Sequence, residues 1–366
     1  MVSVCPMTRI GPDSIGTRDD PAVTGTALLT GGAGYIGSHT AVVLLEAGWS
    51  VVVVDNLANG SPIAVERVRA LTGGDLTFQR VDVRDEGALE KVFAAHDIDA
   101  VVHFAGLKAV GESVAKPLEY YDANVGGSIS LLKVMRDAGI RRLVFSSSCT
   151  VYGDPRVVPV TERSPVGETT NPYGRTKFII EDMLRDVAVA EDGWHIAVLR
   201  YFNPVGAHPS GQIGEDPHGI PNNLVPNVMQ VAVGRRPTVR VFGTDYPTAD
   251  GTGIRDYIHV VDLAEGHLAA LERLDAIDGA EAINLGTGKG YSVLEVIAAA
   301  SKAAGRDIPF EIEGRRSGDI ATVYADPTHA REVLGWEAKR GIDEMVADHW
   351  RWQSTNPHGY ETDAKG

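Results

Sequence analysis

Cysteine is almost missing from this chain: Cys5 and Cys149 are the two thiols in 366 residues. A pair so far apart gives neither a disulfide framework nor a cysteine metal site, so no metal is expected and a reducing, cytoplasmic compartment fits. Long apolar runs are lacking too. None approaches the roughly 18 residues that a membrane span needs, so no membrane partner is expected. Basic residues are outnumbered, 34 Lys and Arg against 49 Asp and Glu, for a formal net charge of −15. That field opposes a polyanion at long range, which argues against nucleic acid and leaves any bound nucleotide to local donors. Residues 1–25 lack the apolar core of a signal peptide and contain Pro6, Gly11, Pro12, Gly16 and Pro21. They are expected to form a disordered extension.

Glycine, in contrast, is plentiful where it matters. Thr26–Thr30 reads as a buried strand, Gly31, Gly34 and Gly37 follow at intervals of three, and Ser38–Leu45 has helical apolar spacing. A strand, glycine turn and helix in this order let the backbone approach a pyrophosphate, with the N–H groups around Tyr35 and Ile36 aimed at the anion. Val51–Val54 forms a second buried strand and ends in Asp55, 18 residues beyond Gly37. A carboxylate there accepts from a ribose 2′-OH and repels a 2′-phosphate, which points to NAD rather than NADP.

Further strands are expected near 76–81, 99–103, 142–147 and 195–200, alternating with helices, which is the pattern of an α/β, doubly wound parallel (Rossmann) sheet. Asp82 and Val83 follow the third strand, where a loop at the carboxyl edge holds adenine. His103 lies in an apolar run and reads as a satisfied core histidine. Phe104, Ala105, Gly106 and Lys108 follow it, small enough in part to pass beside a cofactor. A helix over roughly 117–138 is interrupted by Gly126 and Gly127, a mark of a kink or a close helix contact. The fifth strand ends in the serine cluster Ser146–Ser148. Tyr173 and Lys177 stand four apart at the start of a helix, so both project from one face. Beyond Tyr201, loops rich in Pro, Gly and Asn open a second, smaller α/β substrate domain. There Arg255 and the Arg315–Asp319 stretch offer bidentate donors suited to a diphosphate. The expected division is a cofactor domain over 26–203, a substrate domain over 204–353, a late strand near 282–286 rejoining the first sheet, and a frayed tail over 354–366.

Thr30–Thr40, His103–Ser113, Leu199–Gly211 and Asp250–His259 together resemble the extended short-chain dehydrogenase/reductase family, among its NAD-dependent epimerases, over about Ala27 to Tyr360. The resemblance implies tightly held NAD, a UDP-sugar substrate, a homodimer built through a helix bundle, and inversion at C4 of the sugar, with UDP-galactose and UDP-glucose as the expected pair. By position it implies cofactor contacts from Asp55, Asn56, Asn59, Asp82, Phe104, Lys108 and Phe202. Asn124 is a further one, although Ala123 stands where many members carry asparagine. Contacts to the nucleotide sugar fall to Asn203, Asn223, Leu224, Phe242, Arg255, Arg316 and Asp319. The catalytic group becomes Ser148, Tyr173 and Lys177.

Tyr173, ordinarily a weak acid near pH 10, becomes a base once cations stabilise its phenolate. A unit charge about 6 Å away contributes roughly 3 kcal/mol at an effective dielectric of about 20, so Lys177 and the oxidised nicotinamide are expected to bring it within reach of pH 7. Val323 aligns with a wall beside the sugar's 2′ substituent, and its small side chain implies room for UDP-N-acetylhexosamines. Related 4,6-dehydratases carry a carboxylate just after the strand-end serine or threonine, whereas Cys149, Thr150 and Val151 follow Ser148. A UDP-glucuronate 4-epimerase and a non-catalytic NAD-binding scaffold remain as alternatives.

Overall fold

The computed structural model describes residues 24–360 apart from His218, Ile220 and Ser317. The extension expected over 1–25 therefore lies, but for Thr24 and Gly25, outside the described residues. Six strands and their crossover helices alternate first: Thr26–Thr30 (β1), Ser50–Val54 (β2), Leu76–Gln79 (β3), Ala100–His103 (β4), Arg142–Ser148 (β5) and His195–Tyr201 (β6). The helices include Tyr35–Glu46 (α1), Pro62–Thr72 (α2) and Glu86–Ala95 (α3), then short Val110–Ala115 (α4) and Pro117–Tyr120 (α5), then Gly127–Asp137 (α6) and Pro172–Ala190 (α7). With a late strand, Gly279–Leu285 (β10), they make one seven-stranded sheet in the order β10-β6-β5-β4-β1-β2-β3. Every pairing in it is parallel. This is a Rossmann-type doubly wound fold.

Strands buried on both faces explain the near-continuous apolar runs. Leu29, Val51, Val53 and Val102 point to a layer formed by α1, α2 and Val260–Arg273 (α9). Leu28, Val52, Val54 and Val101 point the other way, onto α3, α6 and α7. The period of two along each strand thus feeds two cores. Strand order reverses between β1 and β4, and a crevice opens at the carboxyl ends of the strands there.

The remaining chain builds a second layer over that crevice. Asn203–Val205 (β7) and Thr322–Val323 (β13) run parallel to Ile254–His259 (β9), and Gly290–Ser292 (β11) runs antiparallel to it. Val239–Phe242 (β8) pairs with Phe310–Glu313 (β12). Leu224–Ala232 (α8), Val293–Ala304 (α10) and Ile342–Thr355 (α12) enclose a core with Val239, Val241 and Tyr257. Thr328–Leu334 (α11) packs near α9. A capping box between Ser292 and Glu295 starts α10, and left-handed Gly305 ends it.

Two local readings need revision. The interruption expected at Gly126 and Gly127 in the helix over 117–138 begins earlier, as a π-helical turn over Tyr121–Gly126 between α5 and α6. Such turns cluster at functional sites, and here the wide turn carries Asn124 to the loop after β4. The expected tail is also ordered well past residue 354: α12 ends at Thr355, and Asn356 and Tyr360 are both buried.

Candidate active site

A cavity of about 640 Å³ occupies the crevice. Its floor is the glycine turn. Gly31 has φ +71°, and a Cβ there would lie 2.7 Å from the Ala105 nitrogen; one on Gly37 would lie 2.6 Å from the Gly31 oxygen. Only glycine lets the turn, the loop after β4 and α1 come together this closely. Gly34 caps α1 without a side-chain acceptor, so the first-turn N–H groups near Tyr35 and Ile36 face the cavity. The Tyr35 hydroxyl donates to the Gly206 carbonyl, 2.7 Å away, and ties α1 to the second layer.

Asp55 lines the cavity at the end of β2, and its oxygens accept from the Ala33 and Leu57 nitrogens at 3.1 and 2.8 Å. Burial pushes this carboxyl above its ordinary value while those bonds oppose the change. Next to it, Asn56 donates to Asp82 at 2.9 Å. Arg84 forks onto the same carboxylate at 2.9 and 2.7 Å, holding Asp82 well below the usual range. Asn59, Val83, Phe104, Ala105, Gly106 and Phe202 also line the cavity.

Asn124 does not. It is buried behind the wall, where it accepts from the Leu107 nitrogen at 2.7 Å and donates to the Leu107 oxygen and Thr176 at 3.0 Å each. Its amide shapes the loop that carries Lys108. His103 is likewise committed to the core: its ring nitrogens bond Thr30 at 2.7 Å and Ser128 at 2.9 Å, and burial lowers its pKa to about 3.

Ser148, Tyr173 and Lys177 meet at the far wall. Asn171 starts α7 by accepting from the Gly174 nitrogen at 2.8 Å, and Pro172 preorganises the first turn. The Ser148 hydroxyl accepts from the Thr150 hydroxyl at 3.0 Å and is near enough to the Tyr173 phenol to draw its pKa down against burial. Lys177 donates to the Ser146 carbonyl at 2.6 Å and stands 6.0 Å from the Tyr173 ring centre. Burial pushes the phenol up to about 12 and the lysine down to about 8, the latter against the pull of Glu181.

The predicted sugar-binding residues separate into two groups. Asn203, Asn223 and Leu224 line the cavity. Phe242, Arg255, Arg316 and Asp319 stand outside that lining, with Arg316 forked on Asp319 at 3.0 and 3.3 Å and its guanidinium 4.6 Å from the Phe242 ring centre. Arg255 links the two groups, since its charge is felt by Cys149, a lining residue. Val323 is 4 % exposed and packs in a small core with Phe202 and Val151, one layer behind the lining.

The region covering the glycine turn, Asp55 and the Ser148 pole matches, over residues 27–286, the family model described as the NAD dependent epimerase/dehydratase family. The chain belongs to that family. It is 59 % identical to UDP-glucose 4-epimerase of Bacillus subtilis, over 92 % of this chain and 98 % of that protein. Against UDP-glucose 4-epimerase of Homo sapiens the identity is 56 %, over 92 % and 99 %. Among solved structures, UDP-glucose 4-epimerase from Bifidobacterium longum in complex with NAD+ and UDP superposes with a TM-score of 0.89 at 56 % identity, covering 91 % of this chain and 99 % of that one. NAD is the cofactor of this epimerase/dehydratase family member. The narrow glycine cradle, the uncapped helix and Asp55 fit its pyrophosphate and ribose.

Sequence reasoning missed three residues of this site. Arg84 orients Asp82, Thr150 orients Ser148, and Glu215 accepts from Lys108 at 3.1 Å and from Asn223 at 3.4 Å. Arg84 and Thr150 lie two residues from their partners, a spacing that signals a local side-chain bond. Glu215 had no such signal, being 107 residues from Lys108.

Proposed function

We propose that this chain interconverts UDP-galactose and UDP-glucose through a 4-keto sugar. The observation that carries the reading is the convergence of Ser148, Tyr173 and Lys177 on the wall of the cavity whose floor is the glycine turn. Bound NAD supplies the two-electron chemistry at C4 and, when oxidised, a second positive charge. Tyr173 takes the 4′-hydroxyl proton, with Ser148 bridging, and returns it once the keto sugar has turned its other face to the cofactor. Lys177 holds the phenolate by charge, and its bond to the Ser146 carbonyl fixes its reach. Asn203, Asn223 and Leu224 hold the sugar end, while Phe242, Arg255, Arg316 and Asp319 hold the uridine diphosphate. The loop after Ser148 offers no carboxylate to eliminate water, so the ketone is reduced again.

Two copies pair, in this reading, through α6 and α7. Ile129 is 39 % exposed there beside a shallow groove lined by Leu132, Met183 and Val187, and Leu118 is 79 % exposed on α5. Light scattering of wild type and Ile129→Glu tests the pairing. Among the described residues no helix is long and apolar enough to cross a membrane; a cytoplasmic site of action is part of the proposed reading, supported by the reducing compartment that two distant thiols suit.

The activity test is conversion of UDP-galactose, UDP-N-acetylgalactosamine and UDP-galacturonate by purified protein, followed by chromatography of the sugar nucleotides. UDP-galactose is the expected best substrate. Val323 stands one layer behind the lining, so acceptance of the acetylated sugar is read from this assay and not from that side chain. Preference for the uronate, or no conversion at all, overturns the reading.

A further inference from the structure

The end of α12 and the residues that follow it, with Arg67 of α2, grip one loop of the second layer along its length. Asn356 donates to the Gly211 carbonyl at 3.1 Å, and Arg67 donates to the Gln212 carbonyl at 2.7 Å while also holding Asn356 at 2.9 Å. The Gly214 nitrogen donates to the Tyr360 hydroxyl at 3.2 Å, and that hydroxyl lies 3.3 Å from the Gly214 carbonyl. Trp352 donates through its indole to the Glu215 carbonyl at 3.2 Å, and the Tyr360 nitrogen donates to Asp216 at 2.9 Å. The ring centres of Trp352 and Tyr360 lie 4.8 Å apart with the planes tilted by 51°, and the Arg67 guanidinium is 5.2 Å from the centre of the Tyr360 ring. Gly214 passes so close that a Cβ would lie 2.3 Å from the Trp352 ring.

The loop so gripped faces the cavity. Gly214, Glu215, Asp216 and Tyr360 all line it. Glu215 is the point of action: 4 % exposed, it accepts from both Lys108 and Asn223, and its second carboxylate oxygen is buried without a partner among the described residues. Lys108 comes from the loop after β4 and Asn223 caps α8, so this one carboxylate joins the cofactor side of the cavity to the sugar side. A buried carboxylate oxygen without a partner costs free energy, and the bonds along 211–216 hold the Glu215 backbone against that cost.

We propose that Tyr360 and Trp352 are positioning residues: the C-terminal segment is a strap that fixes the loop Gly211–Asp216, and through Glu215 sets Lys108 and Asn223 for binding. The effect reaches NAD through Lys108 and the nucleotide sugar through Asn223. The NAD arm depends only on the family's cofactor, and the UDP arm also on the proposed substrate class.

The test measures, on the full chain, retention of NAD during dialysis and the Kd of UDP by calorimetry, for wild type, Tyr360→Ala, Glu215→Gln and the double variant. Tyr360→Ala is expected to weaken both about tenfold with kcat at saturation within about threefold, because displacing a binding group costs affinity without removing the reacting groups. Glu215→Gln should weaken both similarly, and the double variant should be no worse than about twofold beyond either single one, since the two act along one chain of contacts. Fold is checked by circular dichroism. Should Tyr360→Ala not fold, Tyr360→Phe carries the test, losing the Gly214 bonds but keeping the ring contact with Trp352, with an expected weakening of about threefold. Affinities within twofold of wild type, or single effects that multiply in the double variant, overturn the strap. A wild-type chain that retains NAD but ignores UDP overturns the proposed substrate class and leaves the NAD arm standing.

Discussion

Ser148 and Lys177 are 8 and 4 % exposed, sit at the end of a central strand and on a long helix, and have partners within the first sheet. Arg316 and Asp319, outside the cavity lining, are 52 and 26 % exposed in their side chains and hold mainly each other. The first group is set by the packed core, where burial displaces the pKa values of Tyr173 and Lys177. The second is set by long side chains in solvent, where a charge pair is weak until a diphosphate desolvates it. In the proposed reading chemistry sits on the rigid pole and recognition on the adaptable one, so changes at the two poles should separate into effects on kcat and on KM.

The largest effect is expected at the rigid pole. Tyr173→Phe should keep NAD bound and lower kcat by about 10² to 10⁴, the range for a general acid–base group. A loss below threefold would break the comparison by removing Tyr173 from the chemistry. The same pole sets the pH profile. Burial holds Lys177 near 8, so its charge is present below that pH and is lost as pH rises through it. Measured kcat/KM should therefore fall above about pH 8, approaching about tenfold per pH unit. A flat profile to pH 10 would place the required cation elsewhere.

At the exposed pole, Arg316→Ala should raise KM for UDP-galactose about tenfold with kcat little changed, as for loss of one charge-assisted contact. A fall in kcat with unchanged KM would erase the distinction between the poles. The smallest effect concerns cofactor choice. Asp55→Ala removes a ribose acceptor and a repulsive charge but also two braces of the glycine turn, so preference for NAD over NADP should narrow by a fewfold while the melting temperature drops. Unchanged preference after reconstitution would assign the ribose to another residue.

What the sequence disclosed follows the same division. The seven-stranded sheet was legible because its strands are buried on both faces and read as unbroken Val and Leu runs, and the glycine turn because a few small residues suffice to define it. The Ser148 pole was legible because helical spacing places Tyr173 and Lys177 on one face. Asn124 was read as touching the cofactor because sequence does not show which way a π-helical turn swings a side chain. Val323 was placed beside the sugar, whereas the packing of β13 on β9 sets it one layer back. The grip of Tyr360 on Gly214 spans 146 residues, and polar residues at a chain end carry no periodic signal of such a contact.

The central claim is that the hydrogen leaving C4 returns to the same sugar. It is tested by incubating the purified protein, without added NAD, with UDP-galactose deuterated at C4 and analysing the UDP-glucose formed by mass spectrometry. The account predicts product that keeps the deuterium at C4, formed at a rate that added NAD does not raise. Loss of the label to water, or product only when NAD is supplied throughout, would contradict it.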